Sequence, residues 1–172
     1  MATKAYLIAV SIVVGVSATQ WPTGAGADAE TRRAFPSIPK PHDNRDVVVD
    51  GNSTAPGSYG GYSATDVAAW ERETYKLVLE GARVFHDATA IGSDIGVSCG
   101  TCHPDGSGTH PETYPKYQVQ IGRAALLRDM IDWCSRQSAR GAALGADDPR
   151  TRALEAYLTA QRQGATIRYG KH

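Results

Sequence analysis

Apolar residues fall into separate groups along the chain, and their spacing differs from one group to the next. The first group, 6–18, is an almost unbroken apolar block interrupted only by small polar residues. Farther on, Val67, Trp70, Thr74, Leu77, Val78, Gly81, Val84 and Phe85 recur at helical spacing and predict a helix beginning near Ser63 or Thr65. Gly81 sits inside that pattern, where glycine costs about 1 kcal/mol relative to alanine. Its presence there predicts the close approach of another backbone. Ala124, Leu127, Ile131 and Cys134 mark one face of a second predicted helix, 121–136. A third helix is signposted at both ends. Asp148 is placed to cap it, Pro149 fits its first position, and Gly164 is a stop signal. Ala153/Leu154, Tyr157/Leu158 and Gln161 form its stripe. The intervening stretches, 87–97 and 104–115, read as loops, the second from its Pro, Gly, Ser and Thr content. No internal repeat is visible, and the pattern predicts a mostly α chain.

The N-terminal third reads differently. Lys4, the apolar block and the small-x-small sequence Ala27-Asp28-Ala29 form a signal-peptide pattern with cleavage expected after Ala29. The block is shorter than the roughly 20 residues needed to span a bilayer. Residues 30–61 are rich in Pro, Gly, Ser and Asp and predict an extended arm, with one short strand at Val47-Val48-Val49 ended by Asp50-Gly51. The expected organisation is therefore a signal peptide over 1–29, an arm over 30–61 and one domain over 62–172. With no second apolar run, no membrane span is expected after cleavage, and the predicted location is the periplasm or an equivalent exported compartment.

Charge adds an asymmetry. Lys and Arg number 18 and Asp and Glu also 18, so the net charge is zero, yet acids predominate before Lys116 and bases after it. The two halves either cancel by packing together or leave a bipolar surface that orients a redox partner. No stretch interleaves aromatic and basic residues, so nucleic acid is not an expected partner. Three cysteines are an odd number for an exported protein, where free thiols tend to be consumed.

Two of the three are accounted for by Cys99-Gly100-Thr101-Cys102-His103, a C-x-x-C-H haem-attachment signature. The thiols add across the haem vinyl groups, and the adjacent imidazole is placed under the iron. A thioredoxin-like site would need a βαβ setting and a zinc site a second ligand pair, and the sequence has neither. The motif predicts one covalent haem c, held by Cys99 and Cys102 with His103 as proximal ligand. One-electron transfer with redox partner proteins follows as the expected role. The helix carrying Gly81 and Phe85 and the terminal helix carrying Tyr157 resemble the crossing helix pair of the cytochrome c fold. The stretch 81–87, leading to Ser98-Cys99, resembles the approach to haem motifs in bacterial c-type cytochromes.

The opposite face of the iron has several candidates. His42, His110 and His172 read as solvated surface residues, and His86 as a packing or capping residue at a helix end. Met130, the one methionine past the predicted cleavage, and Cys134 remain. Four residues apart on a helix, they project about 40° from one another. The residues alone leave both open.

A further likeness bears on the choice. Tyr114-Pro115-Lys116-Tyr117, Trp133-Cys134-Ser135-Arg136, Arg140-Gly141, Asp148-Pro149 and Leu154-Glu155-Ala156-Tyr157-Leu158, ending at Gly164, resemble one domain of two related cytochromes. These are the A subunit of the sulfur-oxidising Sox complex and the thiosulfate dehydrogenases, and the likeness spans roughly 99–165. In those families the cysteine matching Cys134 ligates the active-site haem, so the resemblance implies His103/Cys134 as the iron ligands. It also implies an alternative role, as the haem subunit of a thiosulfate-type oxidising enzyme working with a second cytochrome. Arg136 and Arg140 are candidates to attract such an anion. Equally, they are basic residues at a helix end that offset its dipole.

Overall fold

The computed structural model of the protein describes residues 64–171 together with Ala29, Arg33 and Ala34. The expected signal peptide and the strand at 47–49 lie outside the described residues, as does nearly all of the arm. Helix α1 (Ala64–His86) is followed by the one-turn helix α2 (Cys99–Cys102) and an antiparallel hairpin, β1 (Lys116–Gln118) and β2 (Arg123–Ala125). Helices α3 (Leu127–Gln137) and α4 (Pro149–Ala160) complete the fold, which is mostly α as predicted.

The core is the crossing of α1 and α4. Tyr75, Val78, Leu79, Ala82 and Phe85 of α1 are buried against Ala153, Leu154, Tyr157 and Leu158 of α4. Gly81 is the crossing point. A Cβ there would overlap the Ala153 carbonyl and stand 2.6 Å from Tyr157 Cβ, which is the backbone approach its position in the sequence predicts. The buried stripe differs from the predicted one, because Trp70 and Leu77 are both 39 % exposed. The 12 residues of α4 cross the 23 of α1 at Gly81, so the packed face runs through 75, 78/79, 82 and 85.

The predicted helix over 121–136 is corrected at its start. Residues 121–126 are a turn and a strand, and α3 begins only at Leu127. The Ile121 and Gly122 amides both donate to the Gln118 carbonyl, at 3.1 and 2.8 Å, and Gly122 takes a positive φ of 72°. That left-handed turn suits glycine and interrupts a helix. Ala125 is buried and Ala124 exposed, the alternation of a strand. Helix α3 starts where the Leu126 amide donates to Asp129 Oδ2 at 2.8 Å.

Helix α4 starts as predicted. The Arg150 amide donates to Asp148 Oδ1 at 2.8 Å, with Pro149 in the first turn. The Arg150 side chain also reaches the Ala90 carbonyl at 3.0 Å, which ties this end of α4 to the loop after α1. Gly164, at φ 81°, lies just beyond the helix end. Among the described residues the acidic and basic halves meet in two ion pairs, Arg140–Asp94 at 3.4 Å and Arg162–Glu112 at 2.9 Å. Among the described residues no helix is long and apolar enough to cross a membrane.

Candidate haem site

The C-x-x-C-H segment folds as one helical turn because its polar residues close on themselves. The Ser98 amide donates to Thr101 Oγ1 at 3.1 Å, and the His103 amide to the Cys99 carbonyl at 3.0 Å. Cys99 packs against the core while Cys102 is exposed. Gly100 is required by its neighbour, since a Cβ there would stand 2.6 Å from His86 Nδ1. His86 is thus a packing residue, edge-on to Phe85 and 3.4 Å from Tyr157 Oη through Nε2. Burial lowers its pKa, with the Asp105 carboxylate acting in the other direction.

The loop after the motif orients His103. Asp105, Gly106 and Gly108 take positive φ angles, and the Gly106 amide returns to the His103 carbonyl at 2.9 Å. Asp and Gly are the residues that tolerate this conformation. The turn brings the Ser107 carbonyl to 2.9 Å from His103 Nδ1. A proton on Nδ1 satisfies that carbonyl and leaves the Nε2 lone pair for a metal, a common way of fixing a ligating imidazole.

His103 and Cys99 line a cleft of about 200 Å³ that opens to solvent. Phe85, Leu154 and Leu158 give it apolar walls from the α1/α4 core, and α3 contributes Met130, Ile131 and Cys134. Tyr114, Lys116 and Gln118 supply its polar side from the hairpin region. The structure therefore brings Cys99, His103, Met130 and Cys134 to one cleft, with Cys102 near enough to influence the charge of both other thiols. Burial first, then Cys134 and Cys102, pushes the Cys99 thiol up to about 11. Burial and Cys102 also raise Cys134. Both shifts favour the protonated forms of Cys99 and Cys134; a cationic iron reverses that for a coordinating thiol. Apolar walls, thiols, an oriented imidazole and a second sulfur donor together fit a haem. A bare ion would need a cage of donors, and among the described residues no three His, Cys, Asp or Glu side chains form one.

Other candidates fall elsewhere. His110 pairs with Glu112 through Nδ1 at 3.2 Å and does not line the cleft. His42 and His172 lie outside the described residues. Arg136 is bound to Asp132 at 2.6 Å on its own helix, and Arg140 to Asp94. Neither lines the cleft, and Arg136 sits in the last turn of α3. Tyr114 is the residue that spacing alone missed. Burial raises its pKa first, the Gln118 hydrogen bond opposes this, and Cys134 raises it further. Gln118 Nε2 donates to its hydroxyl at 2.7 Å, and Lys116 Nζ stands 4.7 Å from its ring centroid. Only its place in the Tyr114-Pro115-Lys116-Tyr117 likeness hinted at such a position.

Compared with known proteins, the chain matches the family model described as the SoxA/TsdA cytochrome c domain over residues 80–167. No curated protein matches it at significance. The matched span takes in the last two turns of α1, the haem motif, the hairpin, α3 and α4. A domain of this kind binds haem c and works by haem-based electron transfer. With α1 crossing α4 and the C-x-x-C-H turn lining the cleft between core and α3, the chain belongs to the SoxA/TsdA cytochrome c domain family.

Proposed function

We propose that the protein is an exported monohaem c-type cytochrome that passes single electrons between redox partners. In this reading Cys99 and Cys102 would hold the haem by thioether bonds, and His103 and Cys134 would ligate its iron. The haem iron supplies the one-electron couple. The chain's own part is to fix the imidazole through Ser107, to exclude water with Phe85, Leu154 and Leu158, and to set the charge on the distal side. The supporting observation is the shared cleft, in which Cys99 and His103 come from the motif and Cys134 from α3. The signal-peptide pattern supports export. The test is retention of haem by the mature protein through denaturing electrophoresis and acid–acetone extraction. Substituting Cys99 and Cys102 together is expected to abolish that retention. Extractable haem in the unmutated protein overturns the covalent reading.

A second reading, the haem subunit of a sulfur-compound oxidising enzyme, is supported by the family and by Cys134 sharing its cleft with Lys116 and Gln118. It predicts thiosulfate turnover, alone or with a second cytochrome, that disappears in Cys134→Ala. The carrier reading predicts electron exchange with small redox partners and no turnover of sulfur anions under either condition.

A further inference from the structure

A second cavity, of about 390 Å³, lies beside the haem cleft and, among the described residues, shares only Lys116 with it. One wall is the segment carrying His110, Glu112 and, at the start of β1, Lys116; the other is the segment after α4 carrying Arg162, Arg168 and Lys171. The terminal segment is docked through its backbone. The Arg168 amide donates to the Glu112 carbonyl at 2.8 Å, and the Gly170 amide to the Thr113 and Pro115 carbonyls at 2.8 and 2.9 Å. The side chains of Arg168 and Lys171 are not consumed in that docking.

The charge around this cavity is unbalanced. Among the described residues Glu112 is its one carboxylate, and both of its oxygens are taken. Arg162 donates to them from Nε and Nη2 at 3.1 and 2.9 Å, and His110 Nδ1 stands 3.2 Å from Oε1. That pairing neutralises Arg162. Among the described residues Arg168 and Lys171 join no salt bridge, and Lys116 feels Glu112 only at longer range. Three cations from two facing chain segments thus border one concave volume, with no counter-charge left over among the described residues. Converging Arg and Lys side chains suit tetrahedral oxyanions, because the guanidinium fork donates in parallel and the ammonium adds a point charge.

We propose that this cavity is an anion site separate from the haem cleft, binding a small tetrahedral oxyanion of the sulfate or phosphate type through Arg168, Lys171 and Lys116. The concavity favours a small ion over an acidic protein surface, which would have to project into it. The site does not depend on which residue ligates the haem iron.

Calorimetric titration of the haem-loaded full chain with sodium sulfate, and separately with phosphate, at fixed low ionic strength tests the proposal. One saturable site is expected. Losing a charge-assisted hydrogen bond in Arg168→Gln weakens it by roughly tenfold, and Lys171→Gln weakens it in the same direction. Both variants keep the backbone bonds of the tail, and their haem absorption should match the parent. Arg136→Gln, a cation already paired elsewhere, should leave anion affinity unchanged. Non-saturating heats, equal losses in Arg136→Gln and Arg168→Gln, or parent-like binding by both cavity variants would each overturn the proposal. So would saturable binding of polyglutamate in the absence of any sulfate or phosphate binding.

Discussion

The His86 imidazole occupies the space a side chain at Gly100 would need: a Cβ on Gly100 falls 2.6 Å from Nδ1 and 3.0 Å from Cε1. The first variable position of the haem motif is therefore dictated by the end of α1. His86 cannot yield freely, being set between the Phe85 ring and the Tyr157 hydroxyl.

Gly100→Ala is accordingly expected to destabilise the haem-loaded protein by about 1–3 kcal/mol, the usual range for overpacking. Removing the obstacle should recover much of this loss. In a double-mutant cycle with His86→Ala, denaturant unfolding should show the combined variant less destabilised than the two single effects added together. Strict additivity would mean that the two residues do not meet.

Gly81→Ala should be worse, because the atom in the way is the main-chain carbonyl of Ala153 rather than a rotatable ring. Helix propensity alone would make this change stabilising by about 1 kcal/mol. The crossing predicts the opposite sign, with a loss at or above the upper end of the roughly 1–3 kcal/mol overpacking range. The sign of the shift in unfolding midpoint decides between them.

Much of this architecture was legible because its signals are local. Gly81 inside an apolar helical stripe announced a crossing, and Asp148-Pro149 announced the start of α4. C-x-x-C-H announced the haem. What the sequence left open depends on partners distant along the chain. Trp70 and Leu77 fit the α1 period as well as Tyr75 and Val78 do, and only the position of the shorter α4 decides which are covered. The run from Ile121 to Leu126 has enough apolar residues for a helix, but the left-handed Gly122 and the pairing of Lys116 with Ala125 make it a hairpin. The setting of Tyr114 beside Cys134 likewise exists only once the hairpin packs near α3.

Acid stability should carry the mark of Glu112. Burial alone would raise its pKa, but the Arg162 guanidinium, its own backbone and His110 outweigh this and hold the carboxyl at about 2, below its ordinary 4.5. A carboxylate depressed in this way contributes stability that is complete above pH 4.5 and lost as the pH falls towards 2. Glu112→Gln should therefore lower stability at neutral pH, and its difference from the parent should narrow through that window. The comparison is made by denaturant unfolding at a series of pH values. A difference independent of pH would show that the carboxylate's charge is not what matters.

The distal ligand gives the sharpest test of the haem reading, because Cys134 and Met130 line the same cleft from the same helix. The two donors differ in charge. A thiolate beside the iron favours the ferric state, whereas a thioether raises the potential. One unit charge at about 4 Å, with an effective dielectric near 20, is worth about 4 kcal/mol, on the order of 170 mV for a one-electron couple. Cys134→Ala should therefore change the low-spin ferric spectrum and raise the reduction potential by up to about that amount when a neutral ligand or water takes over. Met130→Leu nearly conserves volume, so it should cost less than about 1.5 kcal/mol and leave the spectrum unchanged. If Met130→Leu alters the spectrum and Cys134→Ala does not, the protein is a His/Met electron carrier, and the case for sulfur chemistry at this iron loses its ligand.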